Sequence, residues 1–96
     1  MAKLILKYEE RVLKEVPVGA QVVKIGRVPD NTILIDNPAV SSHHARIFRD
    51  TDNFILEDLQ STNGTYVNGR RVAEVVLNDG DRISVAGLDL IFHSAD

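Results

Sequence analysis

Residues 54–69 read Phe54-Ile55-Leu56-Glu57-Asp58-Leu59-Gln60-Ser61-Thr62-Asn63-Gly64-Thr65-Tyr66-Val67-Asn68-Gly69. Phe54 and Leu56 alternate with Asn53, Ile55 and Glu57. That is the period of a strand with one buried face. A polar loop follows from Gln60 to Thr65, and a short apolar run then meets Asn68-Gly69. Asn-Gly tolerates positive φ at both positions, so it is a strong hairpin signal. Strand, polar loop, strand and tight turn set the pattern for the rest of the chain.

Working outward, the same alternation recurs. Leu4, Leu6 and Tyr8 are interleaved with Lys3, Ile5 and Lys7, and Val23 and Ile25 with Val22 and Lys24. Ile83 and Val85 are interleaved with Arg82 and Ser84, and Leu88, Leu90 and Phe92 with Asp89, Ile91 and His93. No window carries the i, i+3, i+4, i+7 stripe of an amphipathic helix. Turn signals separate the runs at Pro17 to Gly19, Pro29-Asp30-Asn31, Asn37-Pro38, Asp50 to Asn53 and Asn78 to Asp81. Many short strands with evenly spaced turns predict an all-β sandwich or barrel.

The chain has 96 residues, 44% hydrophobic and 26% charged. This is one domain's worth of sequence, read as a single unit over 1–96, with an expected radius of gyration of about 13 Å. The net charge of −3 argues against an electrostatic grip on nucleic acid or an anionic membrane. Without cysteine, disulfides and thiol chemistry are excluded. No apolar run approaches a membrane-spanning length, and Met1 to Tyr8 lacks a signal peptide's apolar segment. The expected setting is cytoplasmic. The chain stops four residues after Phe92, which reads as a domain excised from a longer protein.

Three polar stretches interrupt the strands: Gly26 to Asn31, Ala39 to Ala45, and Gln60 to Thr65. Ser41 or Ser42 beside His43 or His44 does not make a catalytic triad, which needs convergent geometry, and no Gly-x-Ser-x-Gly elbow exists. Adjacent histidines on a strand face opposite ways, so a metal site is not expected, and no phosphate loop leads into a helix. No cofactor is expected. Anion binding fits better. The windows 41–49 and 59–73 contain no acid, and with Arg27 they bring Arg46, Arg49, Arg70 and Arg71 beside small hydroxyl and amide donors. Arg presents a planar fork suited to phosphate. Composition leaves these Arg as either an anion site or solvated surface charge.

The order of the motifs is more specific. Ile25-Gly26-Arg27, Asn31-Thr32-Ile33-x-Ile35, Val40-Ser41-x-x-His44-Ala45-Arg46-Ile47, Leu56-x-Asp58-Leu59-x-Ser61-Thr62-Asn63-Gly64-Thr65, Val67-Asn68-Gly69 and Leu77-x-Asp79-Gly80-Asp81 together resemble the forkhead-associated (FHA) domain. The resemblance covers essentially the whole chain. It implies an eleven-stranded, antiparallel-rich β-sandwich with binding loops at one end. It also implies a non-enzymatic module of Ser/Thr-kinase signalling that recognises phosphothreonine.

Carried over residue by residue, the resemblance implies that Arg27 pairs with the phosphate and Ser41 bonds a phosphate oxygen. Ser42 and Thr62 assist, and Asn63 grips the peptide main chain. Gly26, His44, Gly64, Asn68 and Gly69 become structural or loop-bracing positions, with Asn68 at most at the peptide's rim. The expected partner is a phosphothreonine-containing protein or peptide made by an upstream Ser/Thr kinase. Neither nucleic acid nor membrane is expected, and the isolated domain is expected to be monomeric. His43 stands where the family often has a basic residue, and a His facing the site would make binding pH-dependent. Arg70 and Arg71 could attract acidic residues flanking the phosphothreonine. An alternative is a phosphate-independent scaffold using the sandwich face, motivated by Ile5, Ile55 and Ile91 on the outward phase. A third reading, a small hydrolase, would require turnover at Ser41.

Overall fold

The structure, a computed structural model, describes residues 2–94. Met1, Ala95 and Asp96, the extremes of the expected 1–96 unit, lie outside the described residues. The strands are β1 (Ala2–Tyr8), β2 (Arg11–Val18), β3 (Val23–Gly26), β4 (Ile33–Leu34), β5 (Ala45–Asp50), β6 (Asn53–Asp58), β7 (Thr65–Val67), β8 (Arg70–Val72), β9 (Glu74–Val76), β10 (Arg82–Val85) and β11 (Leu88–His93). They form a six-stranded sheet, β2-β1-β11-β10-β7-β8, facing a five-stranded sheet, β4-β3-β5-β6-β9. Every pairing is antiparallel except β3 with β4. The all-β class expected from the alternation is therefore present, as is the eleven-stranded sandwich that the family resemblance implied. Among the described residues there is no helix, so none is long and apolar enough to cross a membrane.

The inward phase of the strands makes the core. Leu4, Ile25, Ile47, Leu56, Ile83, Leu90 and Phe92 are fully buried between the sheets. Burying each such side chain contributes roughly 1.5–3 kcal/mol. The Phe54 and Phe92 rings meet across the sheets, 5.6 Å apart and tilted by 58°, an arrangement favoured by the ring quadrupoles. The radius of gyration is 12.0 Å.

Two expectations about phase fail. Tyr8 follows Leu4 and Leu6 in the alternation, yet it is 53% exposed. It pairs with Leu88 and Arg11 at the end of the β1–β2 hairpin, where the opposing sheet no longer covers it. Ile55 is on the outward phase, yet it is buried while standing apart from the core cluster. Its cross-strand neighbours Phe48 and Val76 cover it on the outer face of the five-stranded sheet. Ile5 and Ile91 pair with each other on the other sheet. The three isoleucines thus sit on opposite sides of the sandwich and do not form the single sticky face that the scaffold reading needs.

Strand direction sorts the loops into two poles. β5 leaves His44 and ends at the Asp50–Asn53 turn, and β6 returns to Asp58. The loops β3–β4, β4–β5 and β6–β7 consequently gather at one pole. The Asn68-Gly69 turn, with φ of 52° and 84°, lies at the other, where Asn68 N–H donates to Arg82 O at 2.8 Å.

Candidate peptide-binding site

Each of the three gathered loops is tied to another by buried or half-buried polar groups. His44, completely buried, is the central tie. Its Nδ1 accepts the Ser41 N–H at 3.1 Å, and its Nε2 donates to Gly64 O at 2.9 Å. A backbone N–H can only donate, so the ring must carry its proton on Nε2. One neutral imidazole thereby couples the β4–β5 loop to the β6–β7 loop, and both ring nitrogens are engaged.

The β3–β4 loop is held by the backbone of Ser42. Arg27 N–H donates to Ser41 O and Ser42 O at 3.1 and 3.2 Å. The buried Asn31 amide donates to Val28 O and Ser42 O, both at 2.8 Å. The contact is close enough to require glycine at position 26. A Cβ there would collide with the Ser42 carbonyl oxygen and stand 2.7 and 2.9 Å from the Asn31 amide atoms.

The β6–β7 loop is shaped by Asp58 at the end of β6. Its carboxylate accepts the Ser61 N–H at 3.0 Å, the Ser61 hydroxyl at 2.5 Å and the Thr65 hydroxyl at 2.7 Å. Ser61 Oγ in turn accepts Gly64 N–H at 3.0 Å. Burial is the largest single influence on the Asp58 carboxyl and pushes its pKa up. The hydrogen bonds from Ser61 and Thr65 outweigh it and hold the pKa below the ordinary 3.8. Sequence reading gave Asp58, Ser61 and Asn31 no individual part in the site. The available signal for the first two was an Asp with a Ser three residues on, the spacing at which a carboxylate closes a local turn. Asn31 stood in the Pro29-Asp30-Asn31 turn signal and bonds Val28 O within that turn, but its second acceptor, Ser42 O, is eleven residues away and left no local trace.

On this frame the candidate residues converge. Arg27 Nε–H donates to Val40 O at 2.9 Å, which fixes the guanidinium. Among the described residues its two terminal NH2 groups have no acceptor, and no carboxylate pairs with it. Ser41 Oγ accepts the Thr62 N–H at 3.1 Å, leaving the hydroxyl hydrogen free to donate. Asn63 donates to Ala39 O at 2.8 Å and keeps its Oδ1 open. Arg27, Ser42, Thr62 and Asn63 are exposed and Ser41 is half-buried, so the pole is an open rim of donors.

Other candidates are placed elsewhere. Arg46 and Arg49 lie within β5. Arg46 bonds Glu57 at 2.5 Å and covers the Phe48 ring, while Arg49 donates to Thr51 O at the opposite pole. The five Arg therefore do not share one site, because strand β5 carries two of them away along its outer face and length. Asn68 and Gly69 brace β10 at the far pole, through Asn68 bonds to Arg82 N–H and Asp81. That position removes Asn68 from any peptide rim and both residues from bracing the binding loops. His43 is exposed and turned to Asp30, with Nε2 3.0 Å from Oδ1. Among the described residues no three His, Asp or Glu side chains cluster as metal ligands would.

A two-sheet sandwich with three interlocked loops and an arginine held open at one pole defines a loop-based anion-recognition module. The family model described as the FHA domain matches residues 23–86, and the chain belongs to that family. Over 82 residues it is 42% identical to the ABC transporter ATP-binding/permease protein Rv1747 of Mycobacterium tuberculosis, covering 85% of this chain and 9% of that protein. The Mycobacterium tuberculosis EmbR structure in complex with a low-affinity phosphopeptide superposes with a TM-score of 0.86 and 36% identity, covering 96% of this chain and 24% of that one. A structure from work on phosphothreonine-dependent FHA domain interactions gives a TM-score of 0.78 and 31% identity, with 98% of both chains covered. The chain thus spans only a small part of the Rv1747 and EmbR chains.

Proposed function

We propose that this domain binds phosphothreonine-containing segments of partner proteins, at the pole formed by Arg27, Ser41, Ser42, Thr62 and Asn63. One observation carries the reading. The Arg27 guanidinium is fixed through Nε to the carbonyl of Val40, the residue before Ser41, while its terminal donors and the Ser41 hydroxyl hydrogen have no protein acceptor among the described residues. A phosphate brings about −1.5 to −2 charge and three strong acceptor oxygens, matching those open donors. Asn63, with Oδ1 unengaged, can accept a peptide N–H and so grip main chain without reading a side chain. The phosphopeptide-bound and phosphothreonine-dependent FHA relatives support the same reading.

The module acts by binding and not by catalysis. Ser41 presents its backbone N–H, not its hydroxyl, to His44, and both His44 ring nitrogens are already engaged. No base stands ready to activate the serine. The upstream activity is a Ser/Thr kinase, since that chemistry makes the phosphothreonine, and the setting is the cytoplasm.

The test is titration with a phosphothreonine peptide library, its unphosphorylated twins and phosphoserine twins. Phosphorylated peptides should bind and unphosphorylated ones should not. Phosphoserine should bind about fourfold more weakly if the threonine methyl is buried. Equal affinity for phosphorylated and unphosphorylated peptides would remove the reading. Deep binding of an unmodified partner that survives Arg27→Ala and Ser41→Ala would instead favour a scaffold.

A further inference from the structure

We propose that Arg71 reads an acidic side chain flanking the phosphothreonine, making it a specificity-determining residue of the same site; this rests on the phosphothreonine reading above. Arg71 is on β8, opposite Tyr66 of β7, and its side chain runs back over the β6–β7 loop. A Cβ built on Gly64 would stand 2.8 Å from Arg71 Nε and 3.0 Å from its Cζ. The guanidinium therefore lies directly on Gly64, the residue after Asn63. Gly64 permits this twice over, by lacking a side chain and by tolerating a φ of +90°.

Arg71 is exposed and, among the described residues, has neither an ion pair nor a side-chain hydrogen bond. Glu74, exposed opposite Glu57 at the start of β9, makes no ion pair with Arg71, and three other acids near this pole are engaged elsewhere. Asp30 faces His43, Glu57 holds Arg46, and Asp58 holds Ser61 and Thr65. A peptide gripped at Asn63 and extended at roughly 3.3 Å per residue passes a second, unneutralised guanidinium within a few residues of its phosphate. A planar fork of donors there suits a carboxylate, or a second phosphate, better than a neutral side chain. Arg70 is the internal control. Adjacent strand residues point to opposite faces, and Arg70 lines a shallow groove with Val67, Val75 and Asp81 instead.

The experiment uses one phosphothreonine peptide with neutral flanks and single Glu or Gln substitutions at each of about three positions on either side. The quantity read is the Gln/Glu ratio of dissociation constants at each position, for the parent protein, Arg71→Ala, Arg71→Lys and Arg70→Ala. A ratio of about three to five at one or two adjacent positions is expected, as for an exposed ion pair. The ratio should fall to about one in Arg71→Ala and persist in Arg71→Lys and Arg70→Ala. Phosphoserine at the preferred position distinguishes the two anion sources by whether it exceeds Glu. A ratio near one throughout, an equal gain at every position, or a preference surviving Arg71→Ala overturns the proposal. If the neutral-flanked phosphopeptide binds no better than its unphosphorylated twin, the underlying phosphothreonine reading fails, and this proposal fails with it.

Discussion

The two poles of the sandwich use the same turn vocabulary to different ends. At the far pole, polar groups close on one another. Asn68 bonds Asp81 and Arg82, Asp81 accepts Asn78 N–H, and Asp79 accepts Ser94 N–H. At the loop pole, the buried groups His44, Asn31 and Ser61 perform that closure. The exposed ends of Arg27, Ser41 and Asn63 are consequently left over. A polar loop becomes a site when other residues satisfy its backbone and free its side chains.

His44→Ala should break the comparison most. It leaves the Ser41 N–H and Gly64 C=O without a buried partner, costing about 3 kcal/mol of stability by denaturant melts, and it should weaken phosphopeptide binding as the loops separate. Arg27→Ala comes next: phosphopeptide affinity should fall by about 2 kcal/mol, roughly thirtyfold, with the denaturation midpoint unchanged. Asn68→Ala should do the reverse, costing about 1 kcal/mol of stability and leaving affinity intact. If Asn68→Ala weakens peptide binding as much as Arg27→Ala does, the division between poles is wrong.

The smallest effect is the dependence on pH. The Asp58 carboxyl has its pKa lowered by folding, so its stabilisation is fully present above the ordinary value of 3.8. It is lost as pH falls below 3.8 through the folded value. Thermal melts should show the stability gap between the parent and Asp58→Asn constant at neutral pH and narrowing only in that acid window. A gap that narrows near pH 6 would place the titration on another group.

Much of the fold was legible in alternation. Leu4, Leu6, Ile25, Leu56, Ile83, Leu90 and Phe92 all fall on the phase that the structure buries, because a strand's period of two is local and needs no partner. Ile55 and Tyr8 broke the pattern because their exposure depends on neighbours, in one case Phe48 and Val76 and in the other an opposing sheet that stops short. In the site, Arg27, Ser41 and Asn63 were marked by motif order. Asn31 stood in the motif order without an assigned contact, and Arg71 was one of two arginines open to flanking acids, since their partners Ser42 and Gly64 are chosen by how loops cross.

Sequence by itself determined the strand content, the turns and the residue types able to meet a phosphate, because dihedral preference and hydrogen-bonding capacity belong to single residues and short windows. Tertiary structure alone decided which arginines are available. Arg46 is held by Glu57 and Phe48 and Arg49 lies at the far pole, while Arg27 and Arg71 stand open. Charge availability depends on partners brought together across sheets and loops, and local sequence does not contain those distances.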